Sequence, residues 1–180
     1  DPVRMMRAIK FASRLDFKIE KDTAKAMHKL HSMILSASAP RVCEEVFRLF
    51  PYGKSAEAFR MMWEYGLMGD LLPELSAFIK KDGGLKSRTW KYLAMLDRYE
   101  VAMAKQGYEV VNGLRAAVLY AAWAHDEPGN CREIMGTMLR SLKIPKATYF
   151  LAVLMIDSVK RLSRPPEKSR LRFLHNRDFP

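Results

Sequence analysis

An all-α fold is predicted by three features of the sequence. Apolar residues recur at helical spacing, Ser, Asp or Pro stands at the start of most such stretches, and Gly or Pro stands between them. No run alternates with period two through Val, Ile, Thr and aromatics, so no sheet is expected. The expected architecture is an irregular array of about nine to ten helices with short connections and no fixed-period repeat.

The first helix is expected from about Pro2 to Leu15. Asp1 reads as its N-cap, and Pro2 takes the first helical position, where its missing N–H costs nothing. Met5, Ala8, Ile9, Ala12 and Leu15 form the expected buried stripe. Arg4, Arg7, Phe11 and Arg14 fall on a separate arc roughly 80° wide at about 100° per residue. A true N-terminus is usually loose, so a motif capped at its first residue is expected to be part of a longer protein.

A second helix is expected from about Lys21 to Leu35. Ser38 reads as the cap of a third, with Pro40 in its first turn and Phe50 near its end, and Ser55 as the cap of a fourth ending at Gly66. "LMGDLLPEL" is a short apolar turn into a fifth helix at Pro73–Lys80. "KKDGGLKS" has two glycines and no apolar residue before Leu85, which marks a subdomain boundary between 1–81 and 86–180. Ser87 then caps a long helix to about Lys105, stopped by Gly107. Helices follow near Asn112–Trp123, Pro128–Leu142 and Pro145–Leu162. "AAVLYAAWA" and "YFLAVLMI" read as buried helix centres, well short of the roughly 20 apolar residues that span a bilayer. "SRPPEKS" reads as a stiff linker, and "SRLRFLHNRDF" as a further helix or turn.

Lys and Arg number 31 against 20 Asp and Glu, a formal net charge of +11 in 180 residues. Such an excess suits a polyanionic partner, although solubility alone accounts for part of it. It is uneven: Arg140 to Pro180 holds ten Lys/Arg against three Asp/Glu. There Lys160, Arg161, Arg164, Lys168, Arg170 and Arg172 interleave with Phe173 and Phe179. Cations track phosphates and rings stack on bases, which suits single-stranded nucleic acid; a solvated helix end with core aromatics is the equal alternative. Cys43 and Cys131 are far apart and form no CxxC, which fits a reducing cytoplasm and argues against a disulfide scaffold or a cysteine-ligated zinc site. No signal peptide is visible.

Catalytic constellations are sparse. There is no Asp-x-Asp, no Gly-rich phosphate loop, and no Ser or Cys near a base. His125–Asp126 has the adjacency of metal-dependent HD phosphohydrolases, but His28, His31 and His175 supply no matching ligand pattern. A helix C-terminus is the simpler reading of that pair. His28 and His31 share a helical face without a third ligand nearby, which favours a solvated polar face. The twelve methionines, Met5–Met6 and Met61–Met62 among them, read as core gap-fillers.

Asp1, Arg4, Arg7, Ala8 and Phe11 in "DPVRMMRAIKF" resemble the neck motif of the class II template-independent nucleotidyltransferases. That motif reads Glu-Asp-x-x-Arg, often with Arg three residues later, then Ala-x-x-Phe; its leading Glu would precede Asp1. The family holds the bacterial poly(A) polymerases and the CCA-adding tRNA nucleotidyltransferases. The resemblance continues through "TAKAM", "APRVCEEVFRLF" and "EYGLMGDLLPEL". "LRSLKIPKATYF" and "VKRLSRPPEKSRLRFLHNRDF" are similar to the RNA-binding end of the poly(A) polymerase branch.

The resemblance implies a neck, a body and an RNA-binding region. The catalytic head of the family, with its Gly-Ser loop and Asp-x-Asp carboxylates holding two Mg²⁺, has no counterpart here. It implies a parent enzyme that adds AMP from ATP to RNA 3′ ends by two-metal displacement. This segment would be inactive alone and would need no cofactor of its own; its partners would be RNA and, through the parent, ATP. Asp1 and Arg4 would read the incoming base, because an acceptor beside a donor complements adenine and cytosine and opposes guanine and uracil. Arg7 would steady the pair or approach phosphates. The competing reading leaves Asp1 as a cap and the arginines as surface charge. The CCA-adding sibling, which recognises a tRNA by shape, and a non-catalytic helical RNA-binding module remain the alternatives.

Overall fold

The computed structural model describes residues 1–127 and 129–163. Arg164, Lys168, Arg170, Arg172, Phe173 and Phe179, and the expected helix start at Pro128, lie outside the described residues. Among the described residues there are ten α-helices, two short 3₁₀ segments and no strand. The helices are α1 (Arg4–Leu15), α2 (Lys21–Leu30), α3 (Ala39–Phe47), α4 (Ser55–Glu64), α5 (Leu67–Leu71), α6 (Pro73–Lys81), α7 (Arg88–Lys105), α8 (Asn112–Asp126), α9 (Cys131–Leu142) and α10 (Lys146–Ser163). In packing order, α10 lies along α8, α8 along α7, and α7 along α4, which carries α1. Burying apolar faces between successive helices supplies the main driving force.

The first helix differs from expectation at both ends. Residues 2–3 form a turn, and helical geometry begins at Arg4. Asp1 is not the helix cap: its Oδ1 accepts from the Val3 N–H at 3.1 Å within that turn, and Val3 occupies the cap position with no side-chain bond. The buried stripe is rotated to Val3, Met6, Ile9, Lys10, Ala12 and Ser13, while Leu15 is exposed and Met5 and Ala8 are half-buried against the core. Lys10 joins this face because the buried Glu45 carboxylate on α3 accepts from its ammonium.

The second helix stops at Leu30, and His31–Ser36 continues as a 3₁₀ segment. Ser38 precedes α3 without a side-chain cap bond. Ser55 is the first residue of α4 rather than its cap. That helix is capped from a distance: Asp97 on α7 accepts from the Ser55 N–H at 2.8 Å and the Ala56 N–H at 3.0 Å. Ser87 does cap α7, accepting from the Thr89 N–H.

Around the glycines, Asp82 accepts from Ser87 Oγ at 2.7 Å and from Arg88 N and Nε at 2.8 Å each. Burial opposes its charge, but Arg88 and Ser87 hold its carboxyl below the ordinary value. Trp63 meets Trp90 edge-on, and Phe78 stacks on Trp123, so one buried apolar cluster runs across this stretch. Met6 and Met62 are fully buried within it, as gap-fillers are. Tyr120 is its largest fully buried side chain, and its hydroxyl accepts from Thr137 Oγ1. The centre of α8 is buried as expected. The apolar run on α10 is buried only along Ala152, Val153 and Ile156, while Phe150, Leu154 and Val159 face outward.

Candidate nucleic-acid interface

The cations of α1 face α3, whose sequence "APRVCEEVF" puts Arg41, Glu45 and, at its end, Arg48 at i, i+4 and i+7. Glu45 is buried and is the hub. Its Oε2 accepts from Lys10 Nζ at 3.0 Å, and its Oε1 from Arg48 Nη1 at 3.0 Å and Arg7 Nε at 3.4 Å. Burial alone would raise its pKa; Lys10, then Arg7 and Arg48, more than offset this and hold the carboxyl below the ordinary carboxylate value. Glu45, with Glu44 beside it on Arg48, serves three cations, which leaves the face with excess positive charge.

Farther along the face, Arg48 also pairs with Glu44 at 2.5 Å. Arg14 donates from Nη2 to the Arg48 carbonyl oxygen and lies over the Tyr52 ring, 4.2 Å from its centroid. Tyr52 is 73% exposed. Its backbone is left-handed, with φ 79°, a conformation that strains a bulky residue by of order 1–3 kcal/mol. Phe11 stands 52% exposed on the same helix as the arginines.

Of the expected base-reading residues, Asp1 is held by Arg41, whose Nη2 donates to Oδ2 at 2.8 Å. Arg4 is exposed; its backbone N–H donates to the Asp1 carbonyl oxygen, and its side chain forms no hydrogen bond or ion pair among the described residues. Arg7 is half-exposed and bound to Glu45. The structure thus gathers Asp1, Arg4 and Arg7 on one helix end and gives Asp1 and Arg7 protein partners. Of the expected RNA-binding set, Lys160 and Arg161 occupy the last turn of α10, where cations complement the helix dipole.

Two of the described histidines, His28 and His31, have structural partners. His125 sits in the last turn of α8, and the neighbouring Asp126 takes both arms of Arg88, at 2.9 and 2.5 Å. His28 packs on Tyr65. His31 is not simply solvated: its Nδ1 lies 2.6 Å from Asp70 Oδ2, and its ring sits where a side chain at Gly66 would go. Among the described residues no group of three or more His, Cys, Asp or Glu could hold a metal ion. The two Mg²⁺ that the resemblance implies for the parent have no ligand set among these residues.

Sequence reasoning missed Arg41, Glu45, Arg48 and Tyr52. The helical spacing of the first three was a readable signal, as was "PYG", a turn whose middle residue precedes glycine.

The family described as the probable RNA and SrmB-binding site of polymerase A matches residues 16–79. Poly(A) polymerase I of Haemophilus influenzae is 33% identical over 89 residues, covering 49% of this chain and 20% of its own length. The CCA-adding enzyme of Bacillus velezensis is 37% identical over 78 residues, covering 43% and 19%. A multifunctional CCA protein of Paraburkholderia phytofirmans is 26% identical over 174 residues, covering 86% of this chain and 41% of that protein. This chain therefore spans about a fifth of the poly(A) polymerase it matches. The matched stretch contains α2–α5 and α6 up to Ile79, and thus the Arg41–Glu45–Arg48 face and Tyr52. An RNA-binding match and relatives of both enzyme types agree with the neck-motif resemblance of α1, and together they fit a fragment of the family of the bacterial poly(A) polymerases and CCA-adding tRNA nucleotidyltransferases.

Proposed function

We propose that this chain is the base-reading and RNA-binding region of a bacterial poly(A) polymerase that adds AMP from ATP to RNA 3′ ends in the cytoplasm. The arginine face of α1 and α3 is the observation that carries the reading. Three cations share Glu45 while Arg4 stands exposed, so the face keeps net positive charge toward solvent. Phosphates are held by such a face through counterion release. Lys160, Arg161, Arg164, Lys168, Arg170 and Arg172 extend the grip on the strand.

In this reading Asp1 and Arg4 select the incoming base. Asp1 accepts from the exocyclic amine of adenine and Arg4 donates to its N1. Arg41 holds the Asp1 carboxylate in place and yields one oxygen to the base. Arg7, anchored on Glu45, fixes the orientation of the arc. The metal-bound chemistry, with Mg²⁺ and ATP, belongs to the head of the enzyme. No helix among the described residues is long and apolar enough to cross a membrane.

The CCA-adding enzyme is the second reading, favoured by relatives of that name, one of them aligned over 86% of this chain. Fluorescence anisotropy of the chain with labelled oligo(A), and with labelled tRNA lacking its CCA end, at low and physiological salt separates the two. Tighter, salt-sensitive binding to oligo(A) supports the first. Preference for the tRNA replaces it with the second, and binding to neither rejects both.

A further inference from the structure

A cleft of about 570 Å³ opens between the Pro51–Gly53 turn and the C-terminal end of α7. Its size is that of a small-ligand site. Tyr52, Val101, Ala104, Lys105 and Tyr108 line its walls, with the buried Glu100–Arg115 pair behind them. Both tyrosines are largely exposed, Tyr52 at 73% and Tyr108 at 66%.

Two observations argue that Tyr52 is held there for its ring. Its left-handed backbone is one that glycine adopts freely and tyrosine does not. The turn is also pinned: a Cβ at Gly53 would lie 2.7 Å from Val101 Cγ2, so the chain sits directly on α7. Strain of this kind persists where the surroundings over-determine the conformation, and it collects at ligand sites. The strained residue buries little of its own surface, so packing does not explain it.

The ring is already half of a stack. Arg14, the last member of the α1 arginine arc, lies over the ring at 4.2 Å. A second flat group on the opposite face would complete an Arg–Tyr–base sandwich, with Lys105 beside it for a phosphate. Glu100 does not repel a strand strongly, because Arg115 Nε meets it at 2.7 Å. Glu109, at the rim, offers an acceptor to an exocyclic amine.

We infer that this cleft takes one unpaired base of single-stranded RNA, stacked on Tyr52 and carried there by a strand that follows the arginine face. The inference rests on the RNA-binding reading of that face and adds a subsite to it, some distance along α1 from Asp1 and Arg4.

The test uses the whole chain and oligo(A) carrying a single 2-aminopurine, read by anisotropy and by quenching of the probe. Tyr52→Gly removes the ring and relieves the backbone, so its melting temperature should be no lower than that of the unsubstituted protein. Its affinity should fall about 5- to 100-fold, the loss of one base stack, with the quenching gone. Tyr52→Phe keeps the ring and should retain both signals. Lys105→Ala should weaken binding and flatten its salt dependence. Binding by Tyr52→Gly within twofold of the unsubstituted chain overturns the inference and leaves the RNA-binding reading standing. Equal weakening in Tyr52→Phe also overturns it, since the hydroxyl would then be the group in use. Absence of oligo(A) binding by the unsubstituted chain overturns both.

Discussion

Glu45 on α3 and Glu100 on α7 are both buried carboxylates bound to cations, yet they are displaced in opposite directions. Burial raises both. At Glu45 the answer comes from Lys10, Arg7 and Arg48, and the carboxyl falls below its ordinary value of 4.5. At Glu100 burial outweighs Arg115, its one ion-pair partner among the described residues, and the negative Asp97 and Glu109 add to it, so the carboxyl is raised. Around Glu100 acids exceed the paired cation, and the pair itself is closed in. Around Glu45 cations exceed acids and the surplus faces solvent. The second arrangement is suited to a polyanion, and the first to holding α7 against α8.

The largest expected effect breaks the pair of acids apart. Glu45→Gln leaves the Lys10 ammonium buried without a counter-charge and should cost about 3–5 kcal/mol, measured by urea unfolding. Glu100→Gln also strands a buried cation, Arg115, but it removes a carboxylate that burial, Asp97 and Glu109 disfavour, so its cost should be smaller, on the order of 1–3 kcal/mol. The pH dependence separates them further. A lowered carboxyl stabilises the fold above its unfolded value and loses that as pH falls through the folded value. The Glu45→Gln deficit should therefore be full at neutral pH and close only below about pH 4.5, the ordinary value. Glu100 runs the other way: the folded state takes up its proton first, so the unsubstituted chain gains relative to Glu100→Gln as pH falls toward 4.5. Equal deficits at every pH would show that the two sites do not differ as argued.

An intermediate effect concerns Asp97, which belongs to the closed region but acts across it. Asp97→Ala removes the acceptor of two backbone N–H groups at the start of α4. Loss of such a cap should cost about 1–2 kcal/mol in urea unfolding. Restoration by Asp97→Asn, which keeps one acceptor oxygen, should be partial. A cost under about 0.3 kcal/mol for Asp97→Ala would mean that water caps α4 equally well.

These residues also show where the sequence is legible. Helix positions follow from local signals: the periodic stripes, Ser87 before α7, Gly66 and Gly107 at turns, Pro73 opening α6. The exposed arc of Arg4, Arg7 and Phe11 is readable for the same reason. Anything set by a partner far along the chain is not. Lys10 falls outside the expected stripe because its acid lies 35 residues away, and that pairing brings a cation into the buried face of α1. The cap of α4 sits on Asp97, 42 residues from Ser55. His31 reads as solvated because Asp70 is 39 residues distant. Periodicity reports which face a helix buries, but not which polar groups are drawn into that face by charge.

The smallest expected effect on stability is the one that bears most on function. Arg4 is exposed and, among the described residues, forms no ion pair, so Arg4→Ala should change unfolding free energy by no more than about 0.5 kcal/mol. Arg7→Ala differs: it takes one of three cations from Glu45 and should lower stability measurably. If the α1 face grips a strand, both variants should weaken oligo(A) binding, and the salt slope should become shallower by about 0.7 for each phosphate no longer neutralised. The contrast lies in the coupling between the two measurements. For Arg7 the loss of affinity comes with a loss of stability, while for Arg4 affinity alone falls. If Arg4→Ala leaves both affinity and salt slope unchanged, its charge does no more than keep that helix end solvated. The positive face would then begin at Arg7, without the base-reading end.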